Sequence, residues 1–272
     1  MNYSKDNFIF DNPQLAFDGL YNFVSLKLDI LCSNYPACAI DNINGYRIGF
    51  LKKILNTIES LRVVIEISKD YPTSSAILRI IADHFATYFL IYKRSEGDES
   101  KLRHYLFIID GMEDRIRGMR KINPQPNDIV SVERNNLIKT NMNSQMQESI
   151  KVVESCVKHI KNLHVYTEHQ TLIDGFLSKP KDKWKFKTLD GYDKKSPNFS
   201  WKKMYSFIYD NEDVPTYFSY LSEFAHGLSA SNLVFDITQE TFTPIYVYAI
   251  SLLGIIRDVV ENDFNLKGMT GL

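Results

Sequence analysis

The stretch IGFLKKILNTIESLRVVIEISK, Ile48 to Lys69, decides the fold class. Its apolar residues Leu51, Ile54, Leu55, Ile58, Leu61 and Ile65 recur at threes and fours. That is the period of one helical face, whereas a half-buried strand would alternate in twos. Lys52, Lys53, Asn56, Glu59, Ser60 and Arg62 fill the remaining turns. The stretch therefore predicts an amphipathic helix with its apolar side in a core.

The same period extends in both directions. Upstream, Pro13 can open a helix because its missing donor is not needed in a first turn, and Leu15, Leu20, Phe23, Val24, Leu28 and Leu31 follow on one face. Pro36, Asn42, Asn44 and Gly45 predict a connection. Downstream, Pro72 predicts an interruption before the helix ILRIIADHFATYFLIYK, Ile77 to Lys93. Lys101 to Lys121 reads as another helix, weakened by Gly111 and Gly118, and Pro124 and Pro126 mark a link. Residues 130–178 predict one long helix, or two in line, with Met142, Met146, Ile150, Val153, Val157, Ile160 and Leu163 along one side. Residues 179–199, rich in Lys, Asp, Pro and Gly, predict an irregular loop. Helices are expected again over Trp201–Tyr209, Pro215–His226 and Pro244–Phe264, and 232–243 leaves room for a short extended piece. No stretch requires a strand. The expectation is an all-α, multi-helix bundle of about seven or eight helices, with residues 1–272 forming a single helical domain.

Composition narrows the function classes. The chain has 272 residues, 44% hydrophobic and 24% charged, with 32 Lys plus Arg against 33 Asp plus Glu, a net charge of -1. No global field attracts a polyanion, so any anion site must be local. Cys32, Cys38 and Cys156 show no disulfide framework and no paired metal spacing. The opening MNYSKDNFIFDNP has no basic segment followed by an apolar one, and the longest nearly apolar run, Ile245 to Ile256, is shorter than the roughly 20 residues of a membrane helix. The expected location is the cytoplasm, with no membrane partner. No Walker loop, dinucleotide fingerprint or His-Glu-x-x-His pair occurs. His159, His164 and His169 recur at fives and scatter round a helix. No metal and no cofactor are expected.

Three places carry candidate chemistry. On the Ile77–Lys93 helix, Arg79 and Asp83 are four apart, share a face and can pair. His84 lies on the apolar stripe, about 140° round from Arg79. The second place is YLSEFAHGLSASN, Tyr220 to Asn232. Pro215 can start its helix and Gly227 can end it, which puts His226 in the last turn, where unpaired carbonyls favour a protonated ring. Ser222 and Glu223 lie four and three residues earlier on the same side. A cap and turn with a core-edge histidine explains these residues as well. The third place is the basic run Lys179 to Lys187, where Lys183 and Trp184, with Phe186, could clamp and stack a single strand. A loop around a packed tryptophan is the other reading.

An arginine followed four residues on by an acid, then a late Tyr-x-x-Leu-Ser-x-x-x-His helix, resembles a family of uncharacterised bacterial all-helical proteins. The matching residues are Arg79, Asp83, Tyr220, Leu221, Ser222 and His226, with Arg103 a further match. That family is broadly similar to HEPN-type helical bundles, many of which are dimeric ribonucleases with an Arg-x(4–6)-His motif, a spacing that Arg79 and His84 also have. The resemblance implies a nucleic-acid- or nucleotide-associated cytoplasmic protein, a metal-independent ribonuclease in a defence setting. RNA or a small anionic ligand would be its partner, and a second copy would make a homodimer. His226 or His84 would act as general base on a 2′-hydroxyl, and Arg79 or Arg103 would stabilise phosphate charge. Asp83, Tyr220, Ser222, Glu223, Lys183 and Trp184 would bind. Arg79 and His226 are then expected on facing helices around one polar cavity. The alternative is a non-catalytic binding or scaffold protein whose polar cluster fixes helix packing. Solvent-open arginines favour the enzyme, and arginines paired inside a dry core favour the alternative.

Overall fold

Asn42 shows how local chemistry sets the helix boundaries. Its side chain accepts the Gly45 N–H at 3.0 Å, so the segment expected as a connection is the start of a helix. The computed structural model describes residues 12–35, 40–123, 125, 131–209, 211–225 and 238–264. Expectations for Pro36, the 126–128 link, His226, Gly227 and 232–237 lie outside those residues.

Helix α1 spans Pro13–Asn34, with Pro13 in its first turn, and α2 spans Ile43–Val63. A π-helical turn, Val64–Ser68, continues α2 and ends at Lys69, whose φ of 50° is left-handed and whose N–H reaches the Val64 carbonyl at 2.9 Å. Helix α3 is Tyr71–Tyr92. Pro72 opens it rather than interrupting a path, because the Asp70 carboxylate takes the Thr73 N–H at 3.1 Å and the Thr73 hydroxyl at 2.6 Å. Helix α4 is Gly97–Lys121, with Asp98 and Glu99 in its first turn and Arg120 and Lys121 in its last, each end matched to the helix dipole. The long segment is two helices, α5 (Val132–Lys161) and α6 (His164–Leu177), divided at Asn162 and Leu163. Residues 179–199 hold no helix, only an isolated bridge between Phe186 and Asn198. Helices α7 (Trp201–Tyr205) and α8 (Asp213–Tyr220) follow, then a single turn Ser222–Ala225, a 3-10 turn Gln239–Phe242 and α9 (Thr243–Asp263). The expected Pro215–His226 helix is thus broken at Leu221. Among the described residues there is no strand, and eight helices run eight residues or longer. The fold is an all-α multi-helix bundle.

The chain divides into two compact units, 1–89 with 201–272, and 90–200. In the first, α1 packs on α2 and α9. Leu28, Leu51, Ile54, Leu55, Ile58, Leu61, Leu252 and Ile256 are fully buried there, each worth about 1.5–3 kcal/mol of removed apolar surface. The periodic residues of the Ile48–Lys69 stretch are thus the core face. In the second unit, α5 and α6 lie on α4, around Leu102, Leu106, Ile109, Cys156, Ile160, Ile173 and Phe176. Two segments, α3 and Glu240–Asp263, are long and apolar enough to cross a membrane, with mean hydropathy 1.2 and 1.4, and 61% and 50% of those windows are buried within the fold.

Candidate functional site

The first unit builds a polar cluster around Arg79. Helix α3 places Arg79 and Asp83 one turn apart, and the guanidinium Nη1 pairs with Asp83 Oδ1. The Tyr205 hydroxyl, from α7, donates to the same carboxylate oxygen at 2.5 Å. Arg79 Nε donates to Ser222 Oγ at 2.8 Å, which brings the early helix to the turn after α8. The guanidinium lies 4.7 Å from the Tyr205 ring centre and 5.9 Å from that of Trp201. Burial lowers the Arg79 pKa, and the Asp83 charge opposes the shift; an arginine keeps its proton in either case. The side chain of Arg79 is 12% exposed and that of Asp83 32%, so the cluster reaches the surface through the carboxylate side. Among the described residues, Nη2 has no hydrogen-bond partner.

The other candidates fall elsewhere. His84 stands edge-on to Phe50, with ring centres 5.8 Å apart, and its Nδ1 is buried without a partner. Burial, with Lys53 nearby, pushes its pKa down to about 4, poorly matched to general-base work near neutrality. Arg79 turns to Asp83, Tyr205 and Ser222 instead, as expected from the angle between residues five apart. Tyr220 is 45% exposed, with its ring edge against Phe224 at 5.3 Å. Glu223 belongs to the Ser222–Ala225 turn. His226 lies outside the described residues, so the pairing of Arg79 with this late segment is described as far as Ser222.

Arg103 and the basic run belong to the second unit, where they hold the irregular loop. Arg103 is 1% exposed. Its Nη1 donates to the carbonyls of Trp184 at 2.8 Å and Phe186 at 2.7 Å, and its Nη2 to Glu99 at 2.7 Å. Its guanidinium carbon lies 3.8 Å from the Phe186 ring centre. Burial lowers its pKa, offset by Glu99. Lys183, also 1% exposed, donates to the carbonyls of Leu177 and Lys179 and pairs with Glu113 at 3.1 Å. Trp184 packs edge-on against Phe107, and Phe186 stacks on Phe176 at 4.9 Å. Lys183 and Trp184, named above for a strand clamp, here tie the loop to the rest of the unit. Lys183 and Lys185 meet carbonyls and carboxylates of the chain, Lys179 and Lys187 meet the hydroxyls of Tyr192 and Ser196, and the Trp184 and Phe186 rings are buried. An irregular segment has many carbonyls without secondary-structure partners, and buried guanidinium and ammonium donors satisfy them.

The sequence reading missed Tyr205 and Trp201. They are four apart on α7 and stack at 6.2 Å, and that aromatic spacing after the loop is the one local signal that could have marked them. Compared with known protein families, curated proteins and solved structures, the chain matches none. The class defined by the fold is an all-helical, multi-helix bundle protein.

Proposed function

We propose that this chain is a non-catalytic binding or scaffold protein of the cytoplasm, in which the arginine clusters fix helices and loop. One observation carries this reading: both candidate arginines are engaged within the fold, Arg79 by Asp83 and Ser222 and Arg103 by Glu99 and two carbonyls. Catalysis on phosphate needs donors aimed at charge that develops in the transition state. Donors already held by the protein's own carboxylates and carbonyls are withdrawn from that work.

A second reading, the HEPN-like ribonuclease, draws on a different observation. Arg79 meets Ser222, four residues before His226, and its Nη2 has no partner among the described residues. That reading needs no metal: His226 takes the 2′-hydroxyl proton, the oxygen attacks the adjacent phosphorus, and the 5′-oxygen leaves, giving a 2′,3′-cyclic phosphate. The deciding experiment is incubation of end-labelled RNA in EDTA with wild-type and H226A protein. The binding reading expects intact RNA with both. Cleavage by the wild type to cyclic or 3′-phosphate ends, lowered about 10²–10⁴-fold in H226A, would replace it with the enzyme.

A further inference from the structure

In the second unit, the end of α4 and the first half of α5 enclose a cleft of about 370 Å³. Its apolar lining is Met119, Ile122, Met142 and Met146, and its charged lining is Arg120 and Lys139. Among the described residues, no carboxylate lines it. The apolar ground continues past the cleft: Ile122 is 57% exposed, Val132 61% and Ile138 37%. On a helix turning about 100° per residue, Val132 and Ile138 flank the row of Lys139, Met142 and Met146, whereas Glu133 and Glu148 point to other sides. Neither Arg120 nor Lys139 has an ion-pair partner among the described residues. Arg117, one turn before Arg120, is paired with Glu113 and Asp114.

We propose that this cleft docks an acidic amphipathic helix of another protein. The inference rests on the binding reading above and supplies its partner chemistry. Methionine side chains adapt to varied apolar knobs and suit a groove for a partner helix. An apolar stripe at threes and fours would enter the cleft, and carboxylates beside that stripe would meet Arg120 and Lys139. A second copy of this chain fits poorly, because a twofold interface sets the same patch against itself and would oppose cation to cation. A nucleic-acid strand fits poorly too, since among the described residues no aromatic ring lines the cleft for stacking.

The test uses the full chain with its methionine methyls isotope-labelled. The probe is a fluorescein-tagged helical peptide with leucines on one stripe and glutamates elsewhere, compared with its lysine counterpart. The expected result is saturable anisotropy for the glutamate peptide, about tenfold tighter than for the lysine peptide, the combined worth of two exposed ion pairs. Shifts of the Met119, Met142 and Met146 methyls should accompany it. In R120E/K139E, two surface changes, the order of the two peptides should reverse. Equal binding of both peptides, absence of saturable binding, or unmoved methyls would overturn the proposal. So would a single-stranded RNA that shifts those same methyls. Failure here leaves the RNA-cleavage result untouched, so the cleft and the binding reading stand or fall by separate measurements.

Discussion

His84 illustrates what one position does in this core. Its ring is packed on Phe50 with a buried, unpartnered Nδ1, and its pKa is depressed to about 4. Above about pH 6.5 the ring is neutral in folded and unfolded chains alike, and its contribution to stability is fully present. As pH falls from there towards 4, the unfolded chain takes up a proton that the folded ring refuses. Stability therefore declines through that window, by up to about 3 kcal/mol, and levels off below it. His84→Leu should flatten this acid limb while changing stability little at pH 7.5. Urea midpoints measured at pH 7.5 and 4.5 check it, and parallel losses in wild type and variant would contradict the assignment. Arg79 contrasts with His84 on the same helix. Its charge is retained because a carboxylate, a hydroxyl and an aromatic face surround it.

At the scale of elements, the 179–199 loop is held as firmly as a helix, by different means. Helices satisfy their own backbone. The loop satisfies its carbonyls at Trp184 and Phe186 through Arg103, and those at Leu177 and Lys179, just before it and at its start, through Lys183. Asp110 on α4 adds an anchor by accepting the Asp182 N–H at 2.7 Å, where the backbone takes a left-handed φ of 58°. Arg103→Ala leaves Glu99 and two carbonyls without their donor. Glu99 is 37% exposed and can be solvated, so the expected cost, about 1–3 kcal/mol for each, comes mainly from the two carbonyls left without a donor. Trypsin should then cut quickly after Lys183 and Lys185, which are 1% and 7% exposed in the intact fold. Arg103→Lys should recover only part of the protection, because an ammonium cannot span two carbonyls and a carboxylate with a planar fork. Unchanged trypsin resistance in Arg103→Ala would show that the loop is held by something else.

For the molecule as a whole, charge is nearly balanced, -1 at pH 7 with a sequence pI near 6.6. Like-charge repulsion between copies vanishes close to that pH, so solubility should be lowest there and rise towards pH 8.5. Light scattering across pH at low salt measures it. A minimum displaced well away from pH 6.6 would mean that folded-state charges depart from the sequence sum. The same balance directs attention to local features, since a chain without a global field can attract a charged partner only through a local patch, and the Arg120 and Lys139 rim is one such patch.

The sequence by itself determined the class and most of the long helices. Apolar spacing over 48–69 and 245–260 reports which side of each helix leaves water, and that is a local property. It also determined that Arg79 and Asp83 share a face, because four residues make about one turn. It marked Ser222 as a polar residue near the end of an apolar segment. Tertiary structure alone decided that Ser222 meets Arg79 across 143 residues and Tyr205 meets Asp83 across 122. It likewise decided that Arg103 donates to carbonyls 81 and 83 residues away. Helical period encodes burial of a face but not the identity of the face it meets. A hydrogen bond between distant side chains, or from a side chain to a carbonyl, leaves no period in the sequence at all.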